Sequence, residues 1–279
     1  MAIAAALAVS PGAAASVHTS AGIKYVTKGF HVKGSSRETG VARCPKRTHV
    51  LGGGERSAGG YGSIVLNQTS PQDSGDRGSQ PDDGWKVRVR NQKSTKATVK
   101  VNAICGKVKV RYTRVRFVAQ ASAETGQVTA SCPNGTHAYS GGVGAGRKSP
   151  ISLNSTFPSP NTTGATDWGA YVDNPSTTGE PNATIYAVCG KSTPHVVTLT
   201  ASSITPHSQA QLVPACPANR RAYGGGLATT AGYQALAINT LSPSPAAGPP
   251  GRAWKAVFDM TTSLSLETVV SAVCGRKLK

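Results

Sequence analysis

Residues 86–111, KVRVRNQKSTKATVKVNAICGKVKVR, carry nine Lys or Arg and no Asp or Glu. Clustered ammonium and guanidinium groups suit one kind of chemistry: they neutralise an anionic polymer and release its counterions. Lys86, Arg88 and Arg90 alternate with Val87 and Val89; Lys107, Lys109 and Arg111 alternate in the same manner, and Arg114 and Arg116 continue the run. These eight cations are the candidate ligand-binding set. The chain as a whole has 30 Lys and Arg against 12 Asp and Glu, a net charge of +18. The excess is uneven: residues 16–109 hold 17 basic and 6 acidic side chains, 110–192 hold 6 and 4, and 193–279 hold 7 and 2. Charge kept only for solubility would be spread evenly, so the first third is the expected binding surface. The competing expectation is a solvated strand edge, protected from aggregation by its Lys and Arg.

Other chemistry is weakly represented. Gly52-Gly53-Gly54 lacks the GxxxxGK[ST] spacing of a phosphate cradle, and no helical pattern follows it. Its recurrence at Gly224-Gly225-Gly226, and nearly at Gly141-Gly142, predicts backbone crowding or a bulge. His49 and His137 occupy matching positions, but Arg221 stands at the third, which argues against a catalytic or metal role. No GxSxG or HExxH motif is present. No catalytic residue, metal site or cofactor is nominated, and the expected protein is not an enzyme. Asn67, Asn154 and Asn239 each precede an SP or FP step and read as turn residues bonding their own backbone. A threefold sugar-binding position is their alternative role. Trp85, Trp168 and Trp254 are expected in the core, against disulfides, rather than as sugar platforms.

The elements that position these residues come in three copies. CPKRTHVLGGG from Cys44, CPNGTHAYSGG from Cys132 and CPANRRAYGGG from Cys216 are one motif. Each is followed by LNQTSP, LNSTFP or INTLSP, then by a Trp, and closes with NAICGK, YAVCGK or SAVCGR. Six cysteines without a CxxC pair favour disulfides over metal. Fifteen connectivities are possible, but only Cys44–Cys105, Cys132–Cys189 and Cys216–Cys274 repeat one bridge three times. Each closes a loop of about 60 residues, worth roughly 4 kcal/mol in the chain-entropy model.

Period-two alternation back from the closing Cys (Ala103, Val101; Ala187, Ile185; Ala272, Val270) and forward from Trp (Val87, Val89; Ala170, Val172; Ala256, Phe258) predicts half-buried antiparallel strands. Short polar stretches such as NQKSTK between the two runs suggest a hairpin. Another strand pair is expected before each opening Cys, as in HVVTLTASSI and AQLVPAC. The expectation is therefore all-β: three tandem, disulfide-stapled antiparallel β-sandwich repeats of about six strands, at 16–109, 110–192 and 193–279. One pseudo-threefold β assembly is the alternative. Residues 1–15 read as the remnant of a secretory signal with Ser16 as the first mature residue, and no segment approaches the roughly 18 apolar residues of a membrane-spanning helix. A secreted protein is expected.

The order Cys-Pro, Gly-Gly-Gly, Ser-Pro, Trp and Ala-x-Cys resembles uncharacterised secreted repeat proteins of Streptomyces and related actinobacteria, over nearly the whole mature chain. The chain departs from that pattern at Lys46-Arg47 and Ala218-Asn219, where a turn glycine such as Gly135 is expected. The resemblance implies the repeat and no particular activity. The charge pattern leads to the functional expectation of a non-enzymatic binder of an anionic polymer: wall teichoic acid, another envelope polysaccharide or extracellular DNA. The alternatives are a protein-interaction module, protease-inhibitor-like or an assembly subunit, contacting a secreted partner through its loops, and, third, a hydrolase.

Overall fold

The computed structural model describes residues 15–279 apart from 21, 74–77, 79, 203, 231, 245–250, 264–265 and 278–279. The signal reading of 1–15 thus falls, but for Ala15, outside the described residues. Repeat 1 forms β1 (Ser16–Ser20), β2 (Ile23–Val32), β3 (Arg37–Arg43), β4 (His49–Ser57), β5 (Ile64–Gln72), β6 (Gly84–Asn91) and β7 (Ala97–Gly106). Repeat 2 forms β8 (Val110–Val118), β9 (Ala123–Glu124), β10 (Val128–Ser131), β11 (His137–Ala145), β12 (Ser152–Ser159), β13 (Asp167–Asn174) and β14 (Asn182–Gly190). Repeat 3 forms β15 (His195–Ala201), β16 (Gln209–Leu212), β17 (Arg220–Thr229), β18 (Leu236–Ser244), β19 (Ala253–Met260) and β20 (Thr268–Arg276). Apart from β1 and β9, the three repeats run through the same six strands. The fold is all-β and antiparallel, as the patterning predicts.

No sheet is private to one repeat. The first has the order β1-β2-β7-β4-β18-β19-β16, the second β3-β6-β5-β11-β14-β8, and the third β10-β13-β12-β17-β20-β15, with β9 beside β13. Each is half one repeat and half its neighbour. The exchange closes on itself, so the sheets stand around a pseudo-threefold axis, with β4, β11 and β17 in mutual contact and β5, β12 and β18 likewise. Each repeat still places three strands in each of two facing layers, sandwich-like, but every layer is completed by another repeat. The seam is a single residue pair each time: Leu241 with Glu55, Thr69 with Val143, Thr156 with Leu227.

This corrects two expected pairings. NQKSTK does not close a hairpin, because β6 and β7 lie in different sheets, and the two strands before each opening Cys, such as β15 and β16, are also in different sheets. Alternation reports which residues share a face, not which strand lies alongside.

Between the two layers of each repeat, Trp85, Trp168 and Trp254 are fully buried. The bridges Cys44–Cys105, Cys132–Cys189 and Cys216–Cys274 form with Cα separations of 5.6–5.7 Å. Cys44 follows β3 in one layer while Cys105 lies on β7 in the other, so the bridge pins the layers together. The glycine runs are crowding sites. A Cβ on Gly53, Gly141 or Gly225 would collide with the Trp ring of its own repeat, and one on Gly54, Gly142 or Gly226 with the carbonyl of Leu241, Thr69 or Thr156 across the seam.

Leu51, Tyr139 and Tyr223 are the extra residues of three bulges, and Asn67, Asn154 and Asn239 those of three more. The asparagines therefore are not turn residues, a second correction. The Ser-Pro or Phe-Pro step continues the strand, with Pro71, Pro158 and Pro243 opposite the tryptophans. Past the single-pair seam no second ladder needs the missing proline N–H. Two of the asparagine amides instead reach the next repeat: Asn67 Nδ2 donates to the Ile151 carbonyl (2.5 Å) and Asn154 Nδ2 to that of Gly232 (3.2 Å).

Candidate anion-binding site

The eight predicted cations separate into three groups. Lys86, Arg88 and Arg90 on β6 and Arg114 and Arg116 on β8 share the second sheet, with β5, β11 and β14 between them, or about 19 Å over four of the usual 4.8 Å strand spacings. Register puts both sets on one face: Arg88 pairs with Gln68, Lys86 with Ser70, Arg114 with Tyr186 and Arg116 with Thr184. The floor between is closely packed, since a Cβ on Gly144 would meet Tyr186, Ser70 and Gln68. Arg111 has the opposite parity. It pairs with Cys189 and lines a separate hollow with His49 and Asp82, whose Nδ1 and Oδ2 are hydrogen-bonded at 2.9 Å. Lys107 and Lys109 lie between β7 and β8, exposed.

Arg88 is not on the surface, contrary to the alternation argument. Only 7% exposed, it donates from Nη1 to the carbonyls of Gly146 (2.5 Å) and Ala145 (3.3 Å) and from Nε to Thr39 Oγ1 (3.1 Å). Its role is to clamp the β11–β12 turn of repeat 2 onto repeat 1. Burial first, then the charges of Arg147 and Arg37, push its guanidinium below the usual value. Lys86 is half-buried and is likewise pushed down, by burial and by Arg88. Of the β6 trio only Arg90 is exposed.

Arg90 faces Arg37 across the β3–β6 ladder. Together with Ser35 and with Arg147 and Lys148 from the clamped turn, they ring an open hollow of about 410 Å³. Burial and the charge of Arg90 push Arg37 below its usual value. Among the described residues, none of these four cations forms an ion pair.

The two other seams explain how this cluster arises. At Arg90's position the other repeats have acids that cap the neighbouring turn: Asp259 Oδ2 accepts from Gly62 N–H (2.7 Å), and Asp173 Oδ2 from Gln234 N–H (3.2 Å). A tyrosine then seals each seam: Tyr61 Oη donates to the Met260 carbonyl (3.3 Å), Tyr233 Oη to that of Asn174 (3.2 Å). At the seam between repeats 1 and 2 the acid is replaced by Arg90, and the tyrosine after Gly60 or Gly232 by the Arg147 after Gly146, with Lys148 beside it; the turn bonds Ser63 N–H to Gly60, Ala235 N–H to Gly232 and Ser149 N–H to Gly146 match these positions. The structural task moves to Arg88, which leaves four cations facing outward. Arg37, Arg147 and Lys148 were absent from the candidate set. Arg147 in place of the sister tyrosines, with Lys148 beside it, is the signal that marks the turn.

The arrangement defines a disulfide-stapled, threefold β protein with one cationic seam, and its three bridges suit an oxidising compartment. The chain matches no family model and no curated protein. No helix among the described residues is long and apolar enough to cross a membrane.

Proposed function

We propose that this is an exported, non-enzymatic binding protein for an anionic polymer of the cell envelope or its surroundings. The polymer lies across the outer face of the sheet shared by repeats 1 and 2, held at one margin by Arg37, Arg90, Arg147 and Lys148 and at the other by Arg114 and Arg116. One observation carries this reading. Two of three equivalent seams are closed by an acid and a tyrosine, whereas the third spends both positions on cations that form no ion pair among the described residues. Like charges gathered without partners repel one another, and stability alone favours the acid. An external anion removes that repulsion, and its phosphates or carboxylates release counterions as they bind.

The test is retention on purified cell walls, with and without teichoic acid, and on soluble polyphosphate across a salt series. Charge reversal at Arg90, Arg147 and Lys148 is expected to weaken retention and to flatten the log-affinity against log-salt slope by roughly 0.7–0.9 per lost contact. Lys255→Glu on β19, away from this seam, serves as the control. Equal retention of both variants, independent of salt, would sink the proposal and leave the cations as a solvated strand edge.

A further inference from the structure

A second cavity, of about 220 Å³, adjoins the cationic hollow and shares Arg37 and Arg90 with it. It lies where all three repeats meet at one end of the axis, since Val65, Ser152 and Ala237 occupy the same position on β5, β12 and β18 and all three line it. Exact threefold symmetry would make its walls alike. They differ instead: the equivalent wall positions are Arg90 from repeat 1 and Asp173 from repeat 2, and farther out Gln92, Pro175 and Thr261. The core positions, by contrast, repeat faithfully, as the three buried tryptophans show.

The walls have opposite hydrogen-bonding character. On one side stand two guanidinium groups, donors only. On the other stands Asp173, 1% exposed, with Oδ2 on the Gln234 N–H. Burial, then the charge of Glu124, push its carboxyl up to about 7. Asn67 lines the same cavity, 3% exposed, with its Nδ2 committed to Ile151 and its Oδ1 without a hydrogen-bond partner among the described residues. A buried amide oxygen left unsatisfied costs roughly 1–3 kcal/mol, which a donor from a ligand recovers.

We infer that this axial cavity binds one sugar-acid ring, its carboxylate on Arg37 and Arg90 and its hydroxyls donating to Asn67 Oδ1 and Asp173. The volume falls below the roughly 300–1,000 Å³ of drug-sized ligand sites, which limits the occupant to about one ring. One guanidinium grips a carboxylate through two parallel N–H bonds, and the second adds its charge. A neutral sugar leaves the Arg pair unmatched, and a bare anion leaves Asn67 unmatched. The ring can be a free monosaccharide or the terminal residue of a polymer whose remainder crosses the cationic hollow. The second case rests on the function proposed above, while the first does not.

The experiment is titration of the intact protein with D-glucuronate, D-glucose and acetate, followed by amide-resolved NMR. Saturable shifts at Arg90, Ser152 and Gln234 are expected with glucuronate, and about tenfold or weaker binding of glucose and acetate, the loss of one charge-assisted hydrogen bond. Arg37→Ala should weaken glucuronate by a similar factor. Ser152→Leu, which fills the cavity at a position where repeat 1 has Val65, should abolish binding with all three disulfides intact. Acetate binding as tightly as glucuronate, or glucuronate binding retained by Ser152→Leu, overturns the inference. Arg147→Ser with Lys148→Ser separates the two sites: polymer retention should fall while glucuronate binding stays within about twofold, one hydrogen bond being worth tenfold. Loss of glucuronate binding in that double variant places the ring in the outer hollow and overturns the axial site alone. A uronate-terminated oligosaccharide binding more tightly than glucuronate identifies the polymer end as the source, whereas equal affinity identifies the free monosaccharide.

Discussion

Glu55→Gln isolates a buried acid at the seam between repeats 3 and 1. Glu55 is fully buried at a position where the sister repeats have Val143 and Leu227. Its Oε1 accepts from the Leu241 N–H at 3.0 Å, and Oε2 has no hydrogen-bond partner among the described residues. Burial therefore holds the carboxyl well above its ordinary value of 4.5. The sign follows from linkage: above pH 4.5 the unfolded chain releases this proton while the folded protein keeps it. Rising pH thus favours unfolding by about 1.4 kcal/mol per unit, until the folded-state pKa is passed. Glu55→Gln keeps the acceptor for Leu241 and cannot titrate. Its amide leaves a buried donor unpaired at a cost of roughly 1–3 kcal/mol, but that cost does not change with pH. The assay is urea unfolding of both proteins with disulfides intact, from pH 4.5 to 7.5. The stability difference should move in the variant's favour by about 1.4 kcal/mol per pH unit over the lower part of that range. Parallel curves would refute the reasoning, because they would mean Glu55 is ionised at little cost in the folded protein.

Four other outcomes are expected. Arg88→Ala should cost about 3 kcal/mol, as a buried charged hydrogen-bond network is lost, whereas Arg90→Ala should change unfolding free energy by less than about 0.5 kcal/mol while weakening polymer retention. Trp85 Nε1 donates to Thr69 Oγ1 (2.8 Å) and Trp168 Nε1 to Thr156 Oγ1 (2.7 Å), but Trp254 faces Leu241 instead and its Nε1 is unpartnered among the described residues; Thr156→Val should therefore cost roughly 1–3 kcal/mol and accelerate exchange of the Trp168 indole proton. Arg47 sits at φ 63 where repeat 2 has Gly135 at φ 73, so Arg47→Gly should raise stability by up to about 1 kcal/mol in thermal unfolding. A fragment spanning 110–192 should stay disordered by NMR with its disulfide formed, because β11 and β12 lose β5 and β17; a folded fragment would show that a repeat is stable without its neighbours.

Much was legible in the chain itself. The three copies, the strands, the buried tryptophans, the crowded glycines and the within-repeat bridges all follow from local periodicity and recurrence. Those signals depend only on which residues share a face and which side chains sterics exclude. Strand pairing beyond the repeat is different. β6 reads the same whether it bonds β7 or β5 and β3, because alternation is indifferent to the neighbour. Only packing around the axis selects the exchange that completes each sheet. The candidate site divides along the same line. Alternation correctly set Lys86, Arg88 and Arg90 on one face, yet Arg88 is buried, because a turn from repeat 2 folds over it and supplies two carbonyls. Arg114 and Arg111 read as one run, but their opposite parity places them on opposite faces. Arg147 and Lys148 lie some 60 residues along the chain from Arg90, and local charge counting never joins them. They meet because β11 of one repeat must bury its glycine edge against β5 of another, and that contact carries the turn to the cations.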